Sequence, residues 1–236
     1  MKILALDSSA TAASVALLED NFVLGEFFVN TKYTHSQTLV PMIENLLDVT
    51  CVDIKDIDLF SVNVGPGSFT GIRIGVSAVK GMALALGKPC APVSTLLSLA
   101  YNLKNYEGII CACMDARCNQ VYNALFKASG GKIKRLTDDR AILIDDLEQE
   151  LKEVSNKIIL VGDGAILCYN KLHKLLPCIE LSDDNNRYQR ASSVAKIAFE
   201  DYNCGKSVSA AELLPKYIRM PQAERELKKK LSVKGE

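Results

Sequence analysis

The sequence predicts an α/β protein of two similar lobes, each built in the order βββαβα with helices alternating between strands. Three observations carry this. The chain opens with three short runs rich in Ile, Val, Leu and Phe, separated by polar turns. The hydrophobic period then changes to that of a helix and back again. After Glu107 the same order restarts, so the border falls near residues 103–108, with an N-terminal lobe at 1–104 and a smaller C-terminal lobe at 105–236. The repetition is one of element order; no residue pattern recurs between the halves.

The first three strands are MKILALDSS, ASVALLED and FVLGEFFVN, divided by the turns SSAT and EDN. THSQTLVPMIENLLDVT follows as a helix, with Leu39, Met42, Ile43, Leu46 and Leu47 at helical spacing after the capping candidates Thr34 and Ser36. Pro41 is expected in its early turns or at a kink. IDLFSVNVG is a fourth strand, GIRIGVSAVKGMALALG a second helix, KPCAPV a fifth strand and STLLSLAYNL a third helix capped by Ser94 or Thr95. In the second lobe GIICACMD, CNQVYNALFK and KIKRLT read as strands, DDLEQELKEV as a helix and KIILVGD as a further strand. PKYIRMPQA, with Tyr217 and Arg219, is an extended segment able to return to a sheet, and AERELKKKLSVKGE a solvated helix end or frayed tail.

Composition narrows the function. With 236 residues and 48% hydrophobic content the chain can bury a sizeable core. Lys plus Arg equals Asp plus Glu at 28 each, so no whole-chain positive field exists to hold nucleic acid. No stretch supplies the roughly 20 unbroken apolar residues of a membrane span, and Asp7 interrupts the only run placed like a signal peptide. A cytoplasmic protein is expected. The eight cysteines contain no CxxC pair. Cys111 and Cys113 share one strand face as small hydrophobes, which is favoured over a metal site made with Cys118.

Two stretches invite phosphate chemistry. Asp7 is followed by Ser8, Ser9 and Thr11, a carboxylate and hydroxyls at a strand-to-hairpin turn that could hold Mg²⁺ and phosphate, or simply form the hairpin. NVGPGSFTGIRIG, residues 63–75, has the order strand, glycine loop, helix, which favours an anion at the helix start. It lacks the Lys of GxxxxGK[ST], and Thr70 stands where GxGxxG needs its third glycine. Ser68 and Thr70 are caps for a helix beginning near Gly71, so an architectural loop is at least as well supported as a cradle formed with Gly65 and Gly67. VGDGA, 161–165, is a second phosphate loop or an ordinary turn, and Asp115 and Arg117 of MDARC pair with each other or cap a hairpin.

Behind the loop, residues 71–86 project into three stripes. Ile72, Val76, Val79, Ala83 and Leu86 make a large apolar face; Gly71, Gly75, Ala78, Met82 and Ala85 make a mostly small one; Arg73, Ser77 and Lys80 lie on the remaining arc. Such a helix has two neighbours, its own sheet and something across the small face, unless it is buried inside one domain. No catalytic constellation is visible. His35 and His173 form neither HxxxH nor HExxH, and no GxSxG is present.

Taken together, ILALDSS, HSQTLVPMIENLL, VNVGPGSFTGIRIG, MDARCNQVYNALF, LVGDGA and PKYIRMPQA resemble, in order and over nearly the whole chain, the TsaB family of tRNA threonylcarbamoyladenosine biosynthesis, a glycoprotease-like group. The resemblance implies the fold of actin, sugar kinases and Hsp70 (ASKHA) with a reduced, variable second lobe. It implies a noncatalytic subunit that pairs with the paralogue TsaD, the transferase that modifies the adenosine beside the anticodon, with the ATPase TsaE completing the assembly. tRNA is reached through the complex, no cofactor is intrinsic, and ATP or ADP is placed at the complex interface. The single histidine of HSQTLVPM fits a chain without TsaD's metal site.

The first two helices are the implied docking surface, through His35, Leu39, Met42, Ile43, Leu46, Gly71, Arg73, Gly75, Ala78, Met82 and Ala85. A homodimer is expected to use a similar face in isolation. Gly75→Arg or Ala78→Arg is expected to block pairing and leave the lobe folded. The alternatives are an ATP-dependent phosphotransferase or ATPase of the same superfold, using Asp7, Ser8, Ser9, Gly65, Gly67, Ser68 and Thr70, and a metallopeptidase.

Overall fold

Alternation along the first strand sets the architecture. The computed structural model, which describes residues 1–31 and 33–219, places β1 (Lys2–Asp7) in the middle of a five-stranded sheet, so both its faces must be covered. Leu4 and Leu6 point into one core, and Ile3 and Ala5 into another. The sheet order is β3-β2-β1-β4-β5, built from β2 (Ala13–Glu19), β3 (Phe22–Val29), β4 (Leu59–Gly65) and β5 (Cys90–Ser94). β1 runs antiparallel to β2 and parallel to β4, so the connections to β4 and β5 are crossovers carrying helices.

Those helices are α1 (His35–Thr50) and α2 (Phe69–Leu86), and both lie on the Leu4/Leu6 face. Thr34 and Gln37 form a capping box at the start of α1, and Cys51 ends it in the left-handed region. Pro41 sits inside α1 as expected, its carbonyl taking a bond from the Asn45 side chain at 2.6 Å. α2 begins at Phe69, two residues earlier than expected, because Ser68 is its cap, accepting from Gly71 N–H; Thr70 lies within the first turn. By length and composition α2 would suffice for a membrane span, with 18 residues, a mean hydropathy of 1.3 and only Arg73 and Lys80 charged. In the fold Ile72, Val76, Val79 and Ala83 are buried with the first core, and a third of the helix is buried.

α3 (Thr95–Tyr101), capped by Ser94, lies between the two sheets, its Leu96, Leu99 and Ala100 packing on Ile110, Ala112 and Phe126. The second sheet contains β6 (Gly108–Asp115), β7 (Gln120–Ser129), β8 (Lys132–Arg135), β9 (Arg140–Leu143), β10 (Ile158–Val161) and β11 (Ile179–Leu181). Its order is β11-β10-β6-β7-β8, with β9 also paired to β7. α4 (Ile144–Lys152) and α5 (Ala165–Leu172) cover its far face through Leu147, Leu151, Cys168 and Leu172.

β9, α5 and β11 add to the predicted elements; they are four, eight and three residues long, too short for periodicity to separate them from loops. Beyond a one-turn α6 (Asp184–Arg187), α7 (Ala191–Asn203) also has no predicted counterpart. It returns to the first sheet, where Ala191, Val194, Ala195 and Ala198 pack on Ile3, Ala5, Ala16 and Leu18. The division at residue 104 thus remains a proposal about chain order, since by packing α7 goes with the first sheet. PKYIR runs back to the first sheet as well, Lys216 N–H bonding Val64 O at 2.7 Å. Met220 onward, including AERELKKKLSVKGE, lies outside the described residues.

Leu46 is fully buried and Leu84 is 74% exposed. Leu46→Ala is therefore expected to lower stability by about 2–5 kcal/mol and Leu84→Ser by less than about 0.5 kcal/mol in urea unfolding.

Candidate functional site

A cleft of about 610 Å³ opens where the carboxyl ends of β1 and β4 face those of β6 and β10, the end at which open α/β sheets hold ligands. It gathers stretches far apart in sequence: Ser9 to Thr11, Pro66 to Thr70, Met114 to Arg117, Asp163, and Lys216 to Arg219.

Asp7 is beneath this cleft and not in it. Its carboxylate is fully buried, with Oδ1 accepting from Ser9 N–H and Ser9 Oγ at 2.7 Å each and Oδ2 accepting from Asn63 Nδ2. Asn63 Nδ2 also donates to Ser98 Oγ at 2.7 Å. Burial pushes the Asp7 carboxyl above the usual range, against the lowering effect of the Ser9 and Asn63 bonds. Both Asp7 oxygens are bonded to protein donors, which favours the hairpin reading of Asp7 over the Mg²⁺ and phosphate one. Ser8 points away from the cleft, its hydroxyl donating to Gly71 O at 2.9 Å.

The glycine loop is filled by protein backbone. Ser68 N–H donates to Ser9 O at 2.7 Å, and Gly67, at φ +156°, lies so close that a Cβ there would collide with that carbonyl. Gly65, at φ +129°, is pressed against Lys216 O in the same way. Gly71 N–H is taken by Ser68 Oγ at 3.2 Å. Two of the N–H groups a phosphate would use are thereby engaged, and the architectural reading of the loop is favoured. Thr70 is exposed at the edge of the cleft.

Across the cleft, Asp115 Oδ1 caps its hairpin by accepting from Arg117 N–H at 2.7 Å, as one of the two expectations had it. In VGDGA, Gly162 and Gly164 lie against the end of β6, and Gly164 N–H donates to Cys113 O at 3.1 Å. Asp163 lines the cleft with Oδ1 unpartnered among the described residues. Burial, with added repulsion from Asp115 and Asp7, pushes its carboxyl up to about 6. Cys111 and Cys113 are buried with sulfurs 3.5 Å apart, beside the buried Cys168, while Cys118 is exposed in the hairpin.

A second groove, about 530 Å³ and mostly apolar, lies between α1 and α2. Here the expected docking residues divide. Leu39 borders the groove but is 1% exposed, and Met42, Ile43 and Leu46 are buried against the sheet; they are core, corrected from the docking list. Gly71 and Gly75 are also buried, their faces turned to Ser8. An added Cβ would strike Ser8 O or Ser8 Oγ respectively, so Gly75→Arg tests folding and not pairing. Met82 is half-buried against the same core, and Ala85 is exposed but outside the groove. His35 borders the groove with its Nε2 held 2.7 Å from Ala10 O.

Arg73 and Ala78 do line the groove, joined by Val40, Phe69, Ile74 and Ser77, which the sequence reading missed. The signal was there, since Val40 lies off the α1 apolar stripe and Ile74 outside all three α2 stripes.

Comparison with known proteins agrees with this architecture. The family model described as TsaD, tRNA N6-adenosine threonylcarbamoyltransferase, matches residues 27–199. The tRNA threonylcarbamoyladenosine biosynthesis protein TsaB of Bacillus subtilis is 31% identical over 95% of this chain and 96% of its own. The Escherichia coli protein of the same name is 31% identical over 93% and 95%. The structure of YeaZ from Pseudomonas aeruginosa superposes with a TM-score of 0.77 at 27% identity, covering 92% of this chain and all of that one. The expected α/β class, two helix-covered β-sheets, stands and is shared with the YeaZ structure.

Two measurements test this geometry. Gly67→Ala is expected to lower stability by more than the roughly 1 kcal/mol of an ordinary glycine change, read by urea unfolding, because the Ser9 carbonyl must give way. Asp163 binds its proton more tightly folded than unfolded, so its contribution to stability is largest below about pH 4 and is lost as pH rises to about 6. Asp163→Asn should flatten that part of the stability-against-pH curve and leave the protein more stable at neutral pH.

Proposed function

The chain belongs to the TsaB family of tRNA threonylcarbamoyladenosine biosynthesis proteins, and from that membership we propose that it serves tRNA threonylcarbamoylation as a noncatalytic subunit, docked by its α1–α2 face to the paralogous transferase TsaD. The observation that carries the reading is the state of the glycine loop: its backbone is engaged by Ser9 and Lys216, while the helix behind it borders an open apolar groove. An apolar groove on an exposed helix pair is a surface for protein association. The match of the TsaD model to residues 27–199 supports a partner of related fold.

In this reading TsaE joins the assembly, tRNA is engaged through the complex in the cytoplasm, ATP or ADP is held at the shared surface, and a second copy occupies the same groove when the partner is absent. A phosphotransferase would need an open phosphate loop beside its acid, and here the loop backbone is engaged by Ser9 and Lys216.

The test is reconstitution with TsaD, TsaE, the adenylate-producing enzyme and tRNA. Omitting this chain should reduce modified adenosine to background, and the chain alone should hydrolyse no ATP. Ala78→Arg should weaken pairing with TsaD by roughly 100-fold, about 2.7 kcal/mol, with an unchanged unfolding midpoint. Turnover of ATP that disappears in Asp7→Ala would overturn the reading.

A further inference from the structure

The chain after α7 ends its described course on residues that also border the docking groove. It runs beside β5 through paired bonds between Cys90 and Val208, 2.8 Å each way, and buries Leu213 in the first core. Lys80 Nζ fixes it further, donating to Ala211 O and Leu213 O at 3.1 Å each. It then crosses the mouth of the cleft as a strap, tied to the first sheet by Lys216 N–H on Val64 O and to the second by Arg219 Nη1 on Ala116 O at 3.0 Å.

Between these anchors Tyr217 stacks on Phe69, ring centroids 4.7 Å apart at 26°. The Arg73 guanidinium lies 3.9 Å from the Phe69 centroid, and its Nε donates to Tyr217 Oη at 2.8 Å. Phe69 and Arg73 are at the same time walls of the α1–α2 groove. Only Nε of Arg73 is used; Nη1 and Nη2 have no partner among the described residues, and no Asp or Glu is among the groove's lining.

Resting on the docking reading above, we propose that the docking surface continues from the two helices over the Phe69–Arg73–Tyr217 clasp onto the strap. The partner that fits it presents a carboxylate to Nη1 and Nη2 of Arg73, beside an apolar segment that covers Val40 and Ile74. The planar guanidinium presents a fork of donors suited to a carboxylate, and its place over the Phe69 ring limits the directions in which that fork points. Val40 and Tyr217, 50% and 40% exposed, leave apolar area for the partner to cover, and Tyr and Arg are the residues that dominate such interfaces. Docking thereby holds the strap down over the cleft.

Hydrogen exchange at the Lys216 amide reads this directly, on the intact chain alone and saturated with TsaD. Exchange should slow by about 10-fold or more on binding, because the strap must lift for the Lys216 to Val64 bond to open. Tyr217→Ala and Arg73→Lys should each weaken binding by about 10-fold while α1 amide exchange stays unchanged. Unchanged Lys216 exchange in the bound wild-type chain, or full affinity of Tyr217→Ala, overturns the inference and leaves helix docking standing. No binding, or binding indifferent to Ala78→Arg, overturns both.

Discussion

The structure depends on the turn at Ser8 to Ala10, which holds the starts of two helices through three bonds. Ser8 Oγ reaches Gly71 O in the first turn of α2, Ser9 O takes the Ser68 N–H that precedes it, and Ala10 O is bonded by His35 Nε2 at the start of α1. Asp7 closes the knot from below by collecting Ser9 and Asn63. The bond to Ser68 forms only because residue 67 has no side chain. From this one turn follow the positions of both helix starts, and hence the width of the groove between them.

A buried carboxylate is expensive unless its oxygens are satisfied, so Asp7 is best understood as the centre of that knot. Its hydrogen bonds stiffen the ends of β1 and β4 together. Gly65 plays the corresponding part for the strap, letting Lys216 lie against the end of β4. The loop that looks like a phosphate cradle in sequence is thus a seat for two pieces of the same chain. What remains open to a visitor is the pair of helices, held rigidly at their starts, with Phe69 and Arg73 where groove and strap meet.

Most of the first lobe was legible because its strands alternate cleanly and its helices carry five-residue apolar stripes with good caps. The glycine loop was legible as a strand-to-helix turn, but the occupant of its glycines was not, since Ser9 approaches Gly67 from 58 residues away along the chain and Lys216 approaches Gly65 from 151. Helical projection found the core face of α2 and misplaced Gly71 and Gly75, because small residues serve equally for a partner helix and for a strand end in the same chain. The exposed Val40 and the half-buried Ile74 were the better pointer. α7 was missed although Ala191, Val194, Ala195 and Ala198 recur at helical spacing; sequence order suggested a lobe boundary, and the chain crosses back over it.

Methyl NMR on the intact chain decides most directly whether the open helix face or the closed loop is the working surface. On adding TsaD, the methyls of Val40 and Ile74 should shift or broaden, while adding ATP with Mg²⁺ to the chain alone should leave those of Ile72 and Ile218, which line the cleft, in place. Saturable ATP-dependent shifts at Ile72 and Ile218, with Val40 and Ile74 silent toward TsaD, would contradict a chain that works by docking.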